Sequence, residues 1–530
     1  MLKTMKHKII GLLLLGSLSI NAFSQNTTAI EYAKMLTPEG ARKHLSILAS
    51  DEFEGRETGQ PGAELAANYI AAEFKKLNLK APVQGSYFQK VGLVETSFRV
   101  DKFQVNGQRL QNLKDFYLRT AKNDVKVKAG KIVFAGYGIT TDTYDDLKGI
   151  DITGKVVLVI GKDEPMKNGV SVISNSSELS EWSTSRDKRI QNLRSRKPAL
   201  ILSINPDLPR ILLSANGHLS DPVISLKKPA LNNLPPQVDI IQITPGTANV
   251  FLKKSGKTIE QLTAAINNSG RPVSRIFKAD FEGSYGNKVK DVKASNVLGY
   301  LEGSDLKNEL LVVSAHYDHV GLNPAGPDKV FNGADDDGSG TTAVLELART
   351  FAKAKKDGKG PRRSILFLAV VGEEKGLLGS EWYSDNPVFP LSNTVTNLNI
   401  DMIGRVDPAH KDSADYLYLI GSDKLSTQLH EISENANATY TKLKIDYKYN
   451  DPKDPERIYY RSDHYNFAKH GIPIVFYFNG VHEDYHKVSD EISKINFPLL
   501  VKRTQLVFHT AWDIVNRDKR PVVDVMESAK

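Results

Sequence analysis

The chain has 530 residues, of which 40% are hydrophobic and 25% charged; this composition is typical of folded globular proteins and, at this length, predicts more than one domain. The 70 basic and 62 acidic residues are interleaved without a basic run, which argues against nucleic acid as a partner. Because the chain contains no cysteine, disulfides, thiolate ligands and a cysteine nucleophile are excluded, and any metal must be held by imidazole and carboxylate groups.

The first residues have the three-part pattern of a signal peptide. Three lysines precede the apolar run Ile9–Leu15, and small or polar residues follow it. A membrane anchor would need about 18 consecutive apolar residues, and Ser17 interrupts the run well before that. We therefore expect residues 1–24 to be removed on export to the bacterial periplasm or medium. No later stretch has the length and apolarity of a membrane span.

Two helices are predicted between Pro38 and Leu79, because apolar residues recur there at helical spacing. The segment between them, Glu54–Gly62, contains three glycines and a proline, which predict a loop. We assign residues 25–114 to the amino-terminal part of the main domain.

Residues 115–280 have a different pattern. Short strand-like runs such as Lys131–Phe134 and Val156–Ile160 are separated by turn residues and prolines. No cluster of acids and histidines with ligand-like spacing occurs among them. We predict a β-rich domain inserted into the main one.

From residue 281 to about 525, strand-like apolar runs alternate with helical segments. In chain order these are Leu310–Ser314, Thr341–Ala354, Ile365–Val371, Val395–Ile400 and Ile472–Phe478. The alternation predicts an α/β fold in which a mainly parallel sheet lies between layers of helices. In such sheets, ligands bind beyond the carboxyl ends of the strands.

Acids and histidines follow most of the strand-like runs. In chain order they are His316, Asp318, Glu373, Glu374, Asp401 and, several residues beyond the last run, His486. The carboxyl ends of parallel strands meet at one edge of a sheet, so these side chains should converge. Each of them alone has an ordinary explanation as a loop or surface residue, and their significance comes from the group.

Each of two acidic clusters can be explained either by a bound cation or by an ordinary structural role. Asp335–Asp337 precedes the helix predicted from Thr341, where one aspartate is explained as an N-cap, but three adjacent carboxylates repel one another unless a cation neutralises them. Glu373 and Glu374 follow a buried strand, where paired carboxylates are costly without a positive partner. A solvated surface pair is the alternative for these glutamates.

Two histidines and three carboxylates match the ligand set of zinc, and one carboxylate is free to bridge two ions. Cobalt or manganese would accept the same ligands. A further carboxylate beside the ions can act as a base. Asp318 suits a role in orienting the imidazole of His316, and Asp490 suits the same role beyond His486.

Several motifs occur in order in this part of the chain: Ser314–Gly321, Gly333–Gly340, Gly372–Leu377, Asn399–Met402, Ser462–His464 and Tyr485–His486. They closely resemble the motifs of the co-catalytic di-zinc aminopeptidases of the bacterial leucyl aminopeptidase and aminopeptidase S type, peptidase family M28. The resemblance covers roughly residues 36–110 and 285–525. It implies a three-layer α/β/α zinc-exopeptidase fold and, as substrates, the amino termini of peptides or proteins.

The resemblance also implies a role for each residue of the site. The implied ligands are His316 and Asp401 for one zinc ion, Glu374 and His486 for the other, and Asp336 as the bridge between them. Glu373 would be the general base, and Tyr485 would hydrogen-bond the developing oxyanion. In the middle of the chain, Val133–Ile139 and Asp151–Leu158 are similar to the protease-associated (PA) domain that is inserted in many of these enzymes.

Three alternatives to an aminopeptidase remain open at this point. Carboxypeptidase-like and glutaminyl-cyclase-like enzymes are related to this architecture, and fold does not fix the substrate. A non-catalytic binding protein with a PA domain would not need Glu373. A calcium-stabilised adhesin would use oxygen ligands alone and would leave His316 and His486 unexplained.

Overall fold

The computed structural model describes residues 26–185, 187–215, 218–227 and 237–525, so the predicted signal peptide lies outside the described residues. The chain divides into two compact units. Unit 1 comprises the residues up to Val91 and those from Ala294 onward, and unit 2 comprises Gly92–Lys293. None of the helices in the described part of the chain is long and apolar enough to cross a membrane.

Helices and strands alternate along the described residues. The helices are α1 (Thr27–Ala33), α2 (Pro38–Leu48), α3 (Pro61–Lys76), α4 (Glu181–Thr184), α5 (Lys188–Ser195), α6 (Leu208–Ser214), α7 (Pro245–Leu252), α8 (Ile259–Ser269), α9 (Gly338–Lys356), α10 (Leu378–Asp385), α11 (Thr427–Ala436), α12 (His464–Ala468) and α13 (Phe497–Asn516). The strands are β1 (Phe88–Lys90), β2 (Leu93–Val105), β3 (Gln108–Arg109), β4 (Phe116–Leu118), β5 (Val125–Phe134), β6 (Val156–Ile160), β7 (Met166–Lys167), β8 (Val170–Ser171), β9 (Leu200–Ile204), β10 (Val223–Leu226), β11 (Ile240–Ile243), β12 (Arg275–Val292), β13 (Ser295–Leu301), β14 (Leu306–His316), β15 (Arg363–Val370), β16 (Thr394–Ile400), β17 (Tyr416–Ile420), β18 (Lys444–Asp446) and β19 (Ile474–Phe478).

Unit 1 is built on an eight-stranded mixed sheet in the order β1-β13-β15-β14-β16-β19-β17-β18. The four central strands, β15, β14, β16 and β19, are mutually parallel. Antiparallel pairs join β1, β13 and β15 on one side and β17 to β19 on the other. The mainly parallel sheet predicted from the alternating sequence pattern is confirmed, and the predicted runs coincide with β14, α9, β15, β16 and β19.

Helices cover both faces of this sheet. Successive side chains of a strand point to opposite faces, and β15 shows this: Phe367 packs against Phe351 of α9, with ring centroids 6.5 Å apart, whereas Leu366 packs in the core that contains Tyr383 of α10. All eight residues of β15 are buried, as expected for a strand covered on both sides. Unit 1 therefore has the predicted three-layer α/β/α architecture.

Unit 2 is built on a nine-stranded sheet in the order β10-β2-β12-β5-β6-β9-β11-β4, with β3 paired to β2. The strands β5, β6, β9 and β11 are parallel to one another, and the remaining pairs are antiparallel. The β-rich character predicted for the insert is confirmed, although helices α4–α8 accompany its strands. Its identity as a PA domain stays a prediction.

The structure places the unit boundaries differently from the sequence analysis. The long strand β2 pairs with β12 from Leu93↔Val292 to Val105↔Phe281. Residues 92–114 and 281–293 therefore belong to unit 2, whereas the sequence pattern assigned them to the main domain. These boundaries depend on strand pairing between segments that are distant in sequence, which the local sequence pattern does not show. In unit 1, the Val91 amide donates to the Ala294 carbonyl at 3.0 Å, so the two ends of the insertion are adjacent.

Candidate metal centre

The structure brings the predicted ligands together at the carboxyl ends of the parallel strands. His316 is the last residue of β14, Asp401 directly follows β16, and Glu374 lies in the turn after β15. Asp336 lies in the loop before α9, and His486 lies beyond β19. The side chains capable of binding metal form two groups, in each of which one ligand atom per residue lies within 4.8 Å of the others: His319, Asp336, Glu374 and His486, and His316, Asp337 and Asp401.

Asp336 connects the two groups. Its Oδ1 lies 3.3 Å from Nε2 of His316, and its Oδ2 lies 3.0 Å from Nε2 of His486. The same nitrogen of His316 lies 3.6 Å from Oδ1 of Asp401, and that of His486 lies 3.0 Å from Oε2 of Glu374. One carboxylate thus faces two imidazole–carboxylate pairs, which is the arrangement of a bridging ligand.

The chemistry of the group fits a cation. Nε2 of His316 and Oδ2 of Asp336 are buried and have no hydrogen-bond partner among the described residues. Buried polar atoms without partners and buried like charges are both costly, and a bound cation would relieve both costs. His486 is exposed, which leaves one side of the group open to substrate.

Burial and charge together perturb the pKa values at the site. Burial and the carboxylates of Glu374, Asp401 and Asp463 raise the pKa of Glu373 well above its usual value. Burial alone would also raise the pKa of Asp336, but the imidazoles of His316 and His486 hold it well below the usual range. Such opposed shifts in one cluster are characteristic of functional sites.

The aspartate triplet is divided among three tasks. Asp337 is the N-cap of α9: its Oδ1 accepts from the Gly340 amide at 2.8 Å, so the N-cap explanation holds for this residue. Oδ1 of Asp335 accepts from the Gly404 amide at 2.6 Å, and its Oδ2 lies 3.2 Å from Nε2 of His482. Asp336, the middle acid, connects the two groups.

Asp490 does not orient His486, contrary to the sequence-based hypothesis. Its carboxylate accepts hydrogen bonds from the backbone amides of Asp335, at 3.0 Å, and Asp336, at 3.1 Å. It therefore fixes the main chain of the triplet. The sequence position of Asp490, four residues after His486, gave no indication of this contact.

Asp318 also acts differently from the hypothesis. Nδ1 of His316 hydrogen-bonds the main-chain carbonyl of Asp318 at 3.0 Å, whereas the carboxylate lies 3.8 Å away. The carboxylate instead accepts from the Thr58 hydroxyl at 2.6 Å and from the Glu373 amide at 3.2 Å. Asp318 thus orients the histidine through its backbone and holds the Glu373 turn through its side chain.

Tyr485 lies beside the ligands. Its ring stacks on His486 with centroids 3.9 Å apart. Burial and the carboxylates of the site, led by Asp336, raise the pKa of Tyr485, so the phenol stays protonated and can donate a hydrogen bond. Its role at the oxyanion stays a prediction.

Sequence reasoning missed two residues of the site, Arg56 and His319. The buried Arg56 guanidinium donates to the carbonyls of Tyr317 and Gly333, both at 2.8 Å, and thereby ties together two loops that carry ligands. His319 lies 3.0 Å from Glu374 through its Nδ1. A possible signal for Arg56 was an arginine inside a glycine-rich loop, and for His319 a second histidine three residues after a predicted ligand.

Residues 296–511, which carry every ligand described above, match the sequence profile of peptidase family M28. This domain belongs to peptidase family M28. The M28 domain thus lies within the carboxyl-terminal segment of unit 1, Ala294–Lys530, and contains neither unit 2 nor Arg56.

Individual relatives agree with this assignment. The chain is 28% identical over 294 residues to "Aminopeptidase YwaD" of Bacillus subtilis (strain 168), a match that covers 52% of this chain and 59% of the relative. A "Probable zinc metalloprotease" of Pyrenophora teres f. teres (strain 0-1) is 32% identical over 154 residues, or 29% of this chain and 31% of that protein. The chain therefore spans less than two thirds of the length of these curated relatives.

A solved structure supports the fold. The aminopeptidase from Aneurinibacillus sp. strain AM-1 superposes with a TM-score of 0.51 at 18% identity. The superposition covers 94% of this chain and 98% of that chain. At 18% identity, this similarity supports the fold and nothing beyond it.

Proposed function

We propose that the protein is an exported, zinc-dependent aminopeptidase that removes amino-terminal residues from peptides. The observation that carries the proposal is the Asp336 carboxylate, whose oxygens face His316 on one side and His486 on the other. A carboxylate in this position suits two cations about 3.5–4 Å apart. His316 and Asp401 would hold one of them, and Glu374 and His486 the other.

The names of the relatives support the substrate class and the metal. The Bacillus relative is described as an aminopeptidase, and the Pyrenophora relative as a zinc metalloprotease. Imidazole nitrogen and carboxylate oxygen, without thiolate, form a ligand set that zinc accepts in catalytic sites. When bound, two zinc ions would supply Lewis acidity toward the scissile carbonyl and toward a water molecule.

Glu373 is the proposed general base. Its Oε2 lies 3.9 Å from Nε2 of His316, and its side chain is 12% exposed, so it lies beside a proposed ligand and retains some contact with solvent. It would accept a proton from the attacking water and return it to the leaving amine. Glu374 and Asp401, two of the carboxylates that raise its pKa, are proposed ligands, so bound cations would lower the pKa of Glu373. The protonated Tyr485 would donate to the oxygen of the scissile carbonyl as charge develops on it.

Export is supported by the amino-terminal sequence pattern. We propose that the chain is cleaved near Ala22–Gln25 and that the mature protein is periplasmic or extracellular. Fractionation of the producing cells, followed by amino-terminal sequencing, tests this. A mature protein that retains Met1 in the cytoplasmic fraction would contradict it.

Hydrolysis of matched peptides tests the activity. Purified wild-type protein, Glu373→Gln and the control Glu431→Gln, which alters an exposed residue of α11, are given free and amino-terminally acetylated peptides, and zinc is counted on the same samples. We expect cleavage of free peptides only, from the amino end, and about two zinc ions per chain. Glu373→Gln should keep the metal and lose about 100-fold to 10,000-fold in rate.

Other outcomes separate the alternatives. Equal cleavage of acetylated peptides, from the carboxyl end, would identify a carboxypeptidase. Cyclisation of amino-terminal glutamine without peptide cleavage would identify a glutaminyl-cyclase-like enzyme. Metal binding without any turnover would indicate a binding protein, and absence of metal would refute the metal centre itself.

A further inference from the structure

His319 is a buried histidine beside the metal centre to which the proposed mechanism assigns no task. Its side chain is fully buried, and its backbone amide donates to the Arg56 carbonyl at 3.2 Å. A Cβ atom added to Gly333 would lie 2.5 Å from Cδ2 of His319, so the ring packs directly against the backbone of that glycine. The ring is therefore confined to one position.

In that position His319 holds one oxygen of Glu374. Its Nδ1 lies 3.0 Å from Oε1 of Glu374, while Oε2 of the same carboxylate lies 3.0 Å from Nε2 of His486. An ionised carboxylate only accepts hydrogen bonds, so Nδ1 of His319 must carry the proton. With the proton on Nδ1, that nitrogen has no lone pair for a metal, so the contact with Glu374 gives His319 a supporting role through Nδ1. The other ring nitrogen, Nε2, is buried and has no hydrogen-bond partner among the described residues.

Asp401, in the other half of the site, has the same arrangement of contacts as Glu374. The hydroxyl of Ser462 donates to Oδ2 of Asp401 at 2.7 Å, while Oδ1 of Asp401 faces His316 at 3.6 Å. Each of these two carboxylates thus has one oxygen toward its histidine partner and the other oxygen occupied by a hydrogen-bond donor. Donors of this kind fix the orientation of a ligand and often determine how many of its oxygens reach the metal.

We propose that His319 is a positioning residue that keeps Glu374 a one-oxygen ligand, with Oε2 directed into the site beside His486 and Oε1 held away from it. This inference rests on the proposed zinc centre. It predicts that loss of the Nδ1 donor weakens one of the two zinc sites and leaves the other, which contains Asp401, nearly unchanged.

Two amide substitutions test the position of the donor. The side-chain nitrogen of asparagine can occupy the place of Nδ1, whereas that of glutamine reaches toward the place of Nε2, so His319→Asn should restore the bond and His319→Gln should not. His319→Leu removes the donor and fills the space. Ser462→Ala is the matched control, because it removes the donor to Asp401.

Zinc affinity at each site is measured by competition with a chelator, and the coordination of each site by the absorption spectrum after cobalt substitution. We expect His319→Asn to bind within about threefold of wild type, and the Gln and Leu variants to lose about 10–100-fold at one site. Their cobalt spectra should change for that site alone, and Ser462→Ala should affect the other site.

Three results would overturn the inference. If all three His319 variants bind both ions as wild type does, the residue does not position Glu374. If the Asn variant loses the same site as completely as the Leu variant, with the cobalt spectrum of a site lacking one nitrogen ligand, His319 is a direct ligand. If both sites weaken equally in the Gln and Leu variants, the effect is a general loss of structure. A wild-type protein that binds no zinc would instead refute the proposed function, so the two failures are distinguishable.

Discussion

Replacement of the buried Arg56 should destabilise unit 1 and its metal centre together. The guanidinium donates to four buried carbonyl oxygens: those of Leu48, Tyr317, Asn332 and Gly333. In Arg56→Met the carbonyls of Leu48, Tyr317 and Asn332 lose this donor and stay buried, whereas the carbonyl of Gly333 keeps the Gly338 amide at 3.2 Å. Each buried polar group left without a partner costs about 1–3 kcal/mol, so the three together predict a loss of roughly 3–9 kcal/mol in the free energy of unfolding.

Charge adds to this loss. Asp336, Asp337, Asp490 and Asp318 all stabilise the charged form of Arg56 against the burial that lowers its pKa, and they lose that positive partner in the variant. Arg56→Lys keeps a charge but offers at most three donors from one nitrogen, so an intermediate loss is expected. Arg362→Met is the matched control, because that arginine pairs at the surface with exposed carboxylates and its replacement should change little.

The assay is unfolding by denaturant, followed by tryptophan fluorescence in metal-free protein. The chain has three tryptophans, and Trp182 is the one in unit 2, so a Trp182→Phe background makes the signal report unit 1 alone. Zinc affinity measured on the same variants tells whether the ligand loops have moved. If Arg56→Met unfolds within about 1 kcal/mol of the control, the three carbonyls do not depend on the guanidinium, and the reasoning from unsatisfied acceptors is refuted.

Three further predictions follow from other contacts. Asp490→Ala should weaken zinc binding about 10–100-fold in a calorimetric titration, with Asp490→Asn affected far less because its amide oxygen still accepts; equal loss in both would contradict this. Burial raises the pKa of Asp146 in unit 2 to about 7, so between pH 4 and 7 this carboxyl is more protonated in the folded state than in the unfolded state. The free energy of unfolding of unit 2 should therefore fall by up to about 4 kcal/mol as the pH rises from 4 to 7. Hydrogen exchange of β5 and β6 should show this slope in wild type and not in Asp146→Asn. Finally, a chain in which a short glycine linker replaces residues 92–293 should fold and bind zinc, because Val91 and Ala294 are hydrogen-bonded; loss of zinc binding would contradict the independence of unit 1.

Much of unit 1 could be predicted from the sequence because its signals are local. Apolar runs of strand length alternate with helical segments, and this pattern alone indicates a parallel sheet with helices on both sides. A parallel sheet gathers residues that follow its strands at one edge, so the convergence of His316, Asp401 and Glu374 follows from their positions after β14, β16 and β15.

Contacts between distant segments could not be predicted. The pairing of β2 with β12, which moves both unit boundaries, joins segments whose sequences give no sign of each other. The same holds for Asp490, whose carboxylate holds the backbone of Asp335 and Asp336, and for Arg56, whose acceptors are carbonyl groups that any sequence provides. Because every residue has a backbone, a contact with a backbone group cannot be recognised from the type of residue in the sequence.

The sequence by itself determined which side chains are available for chemistry: no thiol, and acids and histidines placed after predicted strands. The tertiary structure decided what each of them does. Within one triplet it made Asp337 a helix cap and Asp336 the connection between two histidines, because each carboxylate meets the donors that its own direction offers. It also placed His319 against Glu374. Residue type limits the possible roles, and the orientation set by packing selects among them.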